Sequence, residues 1–316
     1  MTQKALRQKY FSESWLLLIA LVVGVAIFCW VRVHVVGEFD TSQFRQIVDL
    51  LPKDWRKFAT VDFDWLVSYL GRTALTLDEP MLLMLVSGWM IVRGSDVVSG
   101  ELSRGTMETL CAQPISRNRI YWTHAFWTIV GLIGLVATAW LWMAIGIWTT
   151  SVDETFYPVM WNIPLTFLEP EVTTIEMSDR VNPLIYFPGV VNLLTLGIFL
   201  GGFSAWCSSW DRFRWRTLGV VSAFYFVQAG MKIIALASEG FAWMRHLTIF
   251  GFYSPASSIQ LTTENTWAIF SLIQVSSKGE TLPGPLVNNL VLLLLGIGFY
   301  WWGCRTFAKR DLPAPI

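Results

Sequence analysis

WLLLIALVVGVAIFCWVRVHVV, residues 15–36, is apolar at almost every position and contains no acidic side chain. It shows neither the alternation of a half-buried strand nor the polar stripe of a helix lying on a soluble core. A hydrocarbon layer about 30 Å thick is crossed by roughly 20 such residues in helical form, so the stretch predicts a membrane span. The same criterion, carried outward along the chain, predicts spans at 15–36, 77–98, 119–148, 187–210, 217–238 and 285–305. The second closes on Arg93 and Asp96, which at a span end are expected among headgroups. Composition agrees, because 54% hydrophobic against 15% charged residues is too apolar for an ordinary soluble surface. The predicted fold is therefore an all-α integral membrane protein, a single domain over 1–316 with six transmembrane helices.

Charge sets the expected orientation. Lys4, Arg7, Lys9, Arg93, Arg104, Arg117, Arg119, Arg212, Arg214, Arg216, Arg305, Lys309 and Arg310 fall on one side of this topology. Basic residues in short loops stay in the cytoplasm during insertion, so both termini are expected there. The opposite side collects Glu38, Asp40, Asp49, Asp54, Asp62, Asp64, Asp153, Glu154, Glu169, Glu171, Glu176 and Asp179. The formal net charge of zero offers nothing to nucleic acid. The first span is longer than the core of a cleaved leader and is expected to remain.

Outside the spans, Leu6, Tyr10 and Phe11 share a helical face opposed by Lys4, Arg7 and Lys9, which predicts an N-terminal helix lying in the membrane interface. Three outer loops follow, at 37–76, 149–186 and 239–284. In the first, Phe44, Ile47, Val48 and Leu51 have helical spacing ended by Pro52, and 55–70 is the mixed aromatic and charged composition of an interfacial cap. Over 149–188, Pro158, Pro164, Pro170, Pro183 and Pro188 predict an ordered, irregular loop, with Pro188 placed to open the fourth span. The third is apolar over 241–261 but broken by Gly251 and Pro255, which predicts a re-entrant or interfacial helix pair before the last span.

The segment 100–119, GELSRGTMETLCAQPISRNR, joins the second and third spans. Gly105 is expected to break the preceding helix, Thr106 to cap a new one, Glu108 to sit in its first turn where the helix dipole favours an anion, and Pro114 to stop it. Met107, Leu110 and Cys111 then share one face as a small apolar knob expected on the cytoplasmic surface. Ser116 is expected to cap the third span.

Gly100-Glu101, then Arg104-Gly105-Thr106-x-Glu108-x-Leu110, then Pro114-Ile115-Ser116-Arg117, resembles the signature of ABC-2-type transporter permeases, and the ending Phe307-x-Lys309-Arg310-Asp311-Leu312 is similar too. The resemblance implies that 100–117 forms a coupling helix docking on a separate ATPase, with Glu101, Arg104, Gly105, Thr106, Met107, Glu108, Leu110, Cys111, Pro114 and Arg117 as the coupling residues. It further implies two ATPase subunits carrying ATP and Mg²⁺, a second permease copy or a paralogue, and residence in the inner (plasma) membrane of a prokaryote. The chain itself has no G-x-x-x-x-G-K-[ST] phosphate loop and is not expected to be an enzyme or to bind a cofactor. Export through the chain is one reading; motion delivered to an extracytoplasmic partner without cargo, through the same coupling helix, is the other, and the large outer loops suit it.

Remaining polar and small residues have plainer expectations. Lys232, inside the fifth span, either lines a path for an anionic substrate or gives its charge to an interface or a backbone carbonyl. His124 is expected to hydrogen-bond between helices, and Asp78 and Glu79 to cap the helix opened by Pro80. Gly131, Gly134, Gly197, Gly201 and Gly202 are expected at close helix contacts, and Trp15, Trp30, Trp122, Trp148, Trp210 and Trp301 to anchor span ends. No metal-binding motif occurs, and Cys29, Cys111, Cys207 and Cys304 are not expected to form disulfides.

Overall fold

The computed structural model describes residues 3–39, 41, 44–45, 50, 61–156, 159–160, 163–164, 171–275 and 281–311. Among them, six helices are long and apolar enough to cross a membrane: Lys4–Gly37, Tyr69–Ser103, Arg117–Thr149, Pro183–Trp210, Arg214–Ala237 and Pro285–Lys309. The chain is a multi-pass membrane protein. The N-terminal extension is not a separate interfacial element. Residues 4–14 continue the first span as one unbroken helix, Gln3–Gly37, because no glycine or proline interrupts that stretch and the hydroxyls of Ser12 and Ser14 donate back to the carbonyls of Lys9 and Tyr10 within the helix.

The second and fourth spans form the centre, with 72% and 67% of their apolar windows buried, whereas the fifth has 17% and the first 22%. Glycines permit the central contact. Gly201 approaches Met90 and Tyr300, Gly202 lies against the carbonyl of Gly296, Gly197 meets Leu132, and Gly131 meets Trp89. Gly134 departs from expectation, since a side chain there would meet nothing within 4 Å. All six span-end tryptophans are exposed, and all four cysteines are free.

Four contacts gather the N-terminal turns, the 100–119 loop, the turn after the fourth span and the C-terminal turn at one end of the bundle, the basic end. They are Lys9 to Glu101, Ser103 Oγ to the Arg212 carbonyl at 3.2 Å, Arg117 Nη1 to the Arg310 carbonyl at 2.6 Å, and Arg310 Nη1 to the Asp211 carbonyl at 3.0 Å. The opposite end carries the connections. Here the described residues of 149–186 include regular strand pairs in place of the expected irregular loop: Ser151–Phe156 pairs antiparallel with Glu171–Glu176, and Val159–Met160 pairs with Ile163–Pro164. The β-branched residues of 152–155 and 172–175 favour the longer pairing, whose register contains no proline, whereas Pro164 pairs with Val159 in the shorter one.

The segment before the last span likewise holds a single α-helix among the described residues, not the expected helix pair. It runs through 3-10 turns at Glu239–His246 and Ile249–Gly251, one α-helix, Pro255–Glu264, a further 3-10 turn at Thr266–Phe270, and the strand pair Ile273–Val275 with Thr281–Pro283. Phe63–Val67 and Tyr69–Ala74 are short helices within the predicted cap, whereas most of the helix expected over 44–51, together with Trp55 and Phe58, lies outside the described residues. Glu79 occupies the N-cap of Pro80–Ser95 but makes no capping bond; its carboxylate instead accepts from Arg32 Nε at 3.1 Å.

Candidate coupling site

Gly105 adopts φ +72° and ends the second span's helical path at the basic end. That conformation is costly for side-chain-bearing residues and free for glycine. Since a Cβ there would meet nothing within 4 Å, Gly105→Ala should cost about 1 kcal/mol from backbone strain alone. Thermal unfolding of the variant in detergent checks this, and an unchanged melting point would refute it. Gly105, not Thr106, is the N-cap of the helix Thr106–Cys111. The Thr106 hydroxyl donates instead to the carboxylate and the backbone carbonyl of Glu101. Glu108 does occupy the first turn, and Ser116 is the N-cap residue of the third span, without a side-chain bond.

The apolar face of this short helix is turned inward. Met107, 0% exposed, joins a cluster with Val97, Val98, Tyr121, Tyr300 and Phe307, and Leu110 packs with Leu6, Tyr10 and Ile120. At an aqueous surface each such side chain gains roughly 1.5–3 kcal/mol by burial, and both chain termini supply the cover. Cys111 is half-buried, and burial raises its thiol pKa. What faces outward is Glu108, Thr109, Ala112 and Pro114. The expected apolar knob is therefore an internal anchor, and the exposed surface of the loop is polar and small.

A buried charge cluster fastens this loop to the spans. After Ser95 the second span widens into a π-helical turn, Asp96–Gly100, a distortion that often marks functional sites. Ser208 of the fourth span accepts from the freed N–H groups of Val98 and Ser99, at 3.2 and 2.9 Å, and donates to the Ser95 carbonyl at 2.9 Å. Gly100 leaves room for the Asp96 side chain to fold back, since a Cβ there would collide with that carboxylate. Asp96 then receives Arg93 at 3.2 Å, Arg104 at 2.7 Å and Arg214 of the fifth span at 3.5 Å. Glu101, 0% exposed, receives Lys9 of the first span, Arg104 at 3.3 Å and Thr106. Burial disfavours the Arg104 charge, but its two carboxylate partners outweigh that and raise its pKa. Buried charges held this way need every partner.

Of the residues singled out in the sequence, Glu101, Arg104 and Thr106 meet in this cluster, Met107 and Leu110 enter the core, and Arg117 ties down the C-terminal turn. Lys9, Arg93, Asp96, Ser208 and Arg214 were not foreseen. The available signal was Arg93 and Asp96 at i,i+3 spacing closing an apolar run, with Gly100 four residues on. His124 forms no bond between helices among the described residues. Its Nδ1 faces Thr128 Oγ1 of its own helix at 3.5 Å, and its ring meets Tyr10 edge-on at 4.9 Å.

Lys232 lies at the opposite end of the bundle, where its ammonium donates to the Tyr253 carbonyl at 3.0 Å. One turn earlier, Gln228 accepts from the Ile249 N–H at 2.9 Å. The polar residues of the fifth span thus hold the segment 248–253. Among the described residues no three His, Cys, Asp or Glu side chains converge as metal ligands. Compared with known proteins, the chain matches no family model and no curated protein.

Proposed function

We propose that this chain is the membrane subunit of an ATP-driven transporter of the ABC-2 type, docking a separate ATPase through the helix Thr106–Cys111. Two such ATPase subunits, carrying ATP and Mg²⁺, would serve a pair of permeases made of two copies or a copy and a paralogue, in the inner membrane of a prokaryote with the basic end in the cytoplasm. The observation that carries this reading is the way the loop is held. A short capped helix with a polar outer face is fixed by Met107 and Leu110 to the core and by Glu101 and Asp96 to the first, second and fifth spans. A push on Glu108, Thr109 or Ala112 therefore reaches three membrane helices through buried ion pairs rather than through a loose linker.

The test is co-purification with the ATPase. Glu108→Arg combined with Ala112→Arg alters only the exposed face, so the pair should abolish association while the chain's melting point stays within a degree or so, as for surface changes of about ±0.5 kcal/mol. Association that survives the double substitution would sink the docking assignment.

A further inference from the structure

A cavity of about 280 Å³ lies at the end opposite the coupling site, between the last turns of the fifth span, the helix Pro255–Glu264 and the strand pair Ile273–Val275/Thr281–Pro283. Ligand sites begin near this size, at about 300 Å³, so a solute of few heavy atoms fits. The wall carries charges of both signs. Gln260 Nε2 donates to Asp62 at 2.7 Å, and Glu264 follows Gln260 by four residues on the same helix, which brings both carboxylates to one rim. Lys232 also lines the wall, with one of its three protons given to the Tyr253 carbonyl and with Asp78 and Arg245 within electrostatic reach.

Gln274 is an independent mark. It lines the same cavity and is 8% exposed, and its side-chain oxygen accepts no hydrogen bond from any described residue. A buried amide oxygen without a donor is costly until something donates to it.

We propose that this cavity binds a compact zwitterion. A primary ammonium would donate to Gln274 Oε1 and the carboxylates of Asp62 and Glu264, and a carboxylate or phosphate would accept from Lys232 and Arg245. The donor that Gln274 requires selects an N–H-bearing ammonium over a quaternary one. A free amino acid and the ethanolamine phosphate head of a phospholipid share this chemistry. The assignment does not use the coupling reading, and its test needs no ATPase, so either can fail alone.

Full-length chain in phosphatidylglycerol nanodiscs would be titrated calorimetrically with L-glutamine and with O-phosphoethanolamine. At least one should bind saturably, with propylamine, propionate and glycine betaine giving no saturable heat. Gln274→Leu and Lys232→Met should each weaken binding about tenfold or more, equivalent to about 1.4 kcal/mol, with the parent's melting profile retained. Tighter binding of L-glutamine assigns the free solute, and tighter binding of O-phosphoethanolamine assigns the lipid head. Absence of saturable heat from both zwitterions, equal binding of any single-charge or quaternary probe, or parental affinity in Gln274→Leu overturns the proposal. Should Lys232→Met not fold, Gln274→Leu, in a short strand remote from the bundle core, decides the matter alone.

Discussion

Asp96→Asn is expected to lose most of the chain's thermal stability in detergent, because it removes the carboxylate that is ion-paired with the buried Arg93 among the described residues. The side chains of Asp96 and Arg93 are 6% and 4% exposed, and deleting one member of such a pair costs about 3–5 kcal/mol. Arg104 and Arg214, at 38% and 32%, can turn toward water once their partner is gone, so Arg93 bears the loss. That asymmetry supplies the control. Replacing both residues, as Arg93→Met with Asp96→Leu, removes the orphaned charge and should restore much of the melting point. A single Asp96→Asn variant that melts with the parent would mean that the cluster holds nothing together.

Gly202→Leu is expected to prevent assembly altogether, so that size-exclusion chromatography of a fluorescent fusion shows aggregate in place of a monodisperse peak. Helices in lipid have little hydrophobic drive toward one another and depend on close packing. The fourth and sixth spans meet backbone to backbone: a Cβ on Gly202 would collide with the Gly296 carbonyl, and one on Gly296 would stand 2.8 Å from the Ile198 carbonyl. Overpacking usually costs about 1–3 kcal/mol when side chains can shift, and a carbonyl fixed in a helix cannot. Gly134→Leu, at a position with nothing within 4 Å, should elute as the parent does. Equal profiles for the two variants would deny the contact its role.

These two cases also mark what the sequence discloses. Runs such as 15–36 announce their spans because the lipid solvent imposes length and apolarity directly. The coupling loop was legible in its punctuation, since Gly105, Glu108 and Pro114 act on their own neighbours. Which way its apolar stripe faces was not, because Met107 is covered by Tyr300 and Phe307 from one terminus, and Leu110 by Leu6 and Tyr10 from the other. Periodicity reveals a stripe without naming its cover. Asp96 read as a headgroup residue for the same reason: its partner Arg214 lies far along the chain, and its side chain folds back into the space left by Gly100. The strands at 151–156 and 171–176 had β-branched residues in view, outweighed by nearby prolines that fall outside their pairing.

The first helix has a mechanical corollary. Its 35 residues, at about 1.5 Å of rise each, form a rod of roughly 52 Å, well beyond a 30 Å hydrocarbon core. Near one tip Lys9 grips Glu101 beside the helix Thr106–Cys111, and near the other His34 faces Thr150 Oγ1 at 3.2 Å, where the long strand pair begins. The backbone hydrogen bonding is continuous between the two tips. The helix therefore joins the Glu101 cluster to the start of the strand pair with no loop or turn between them.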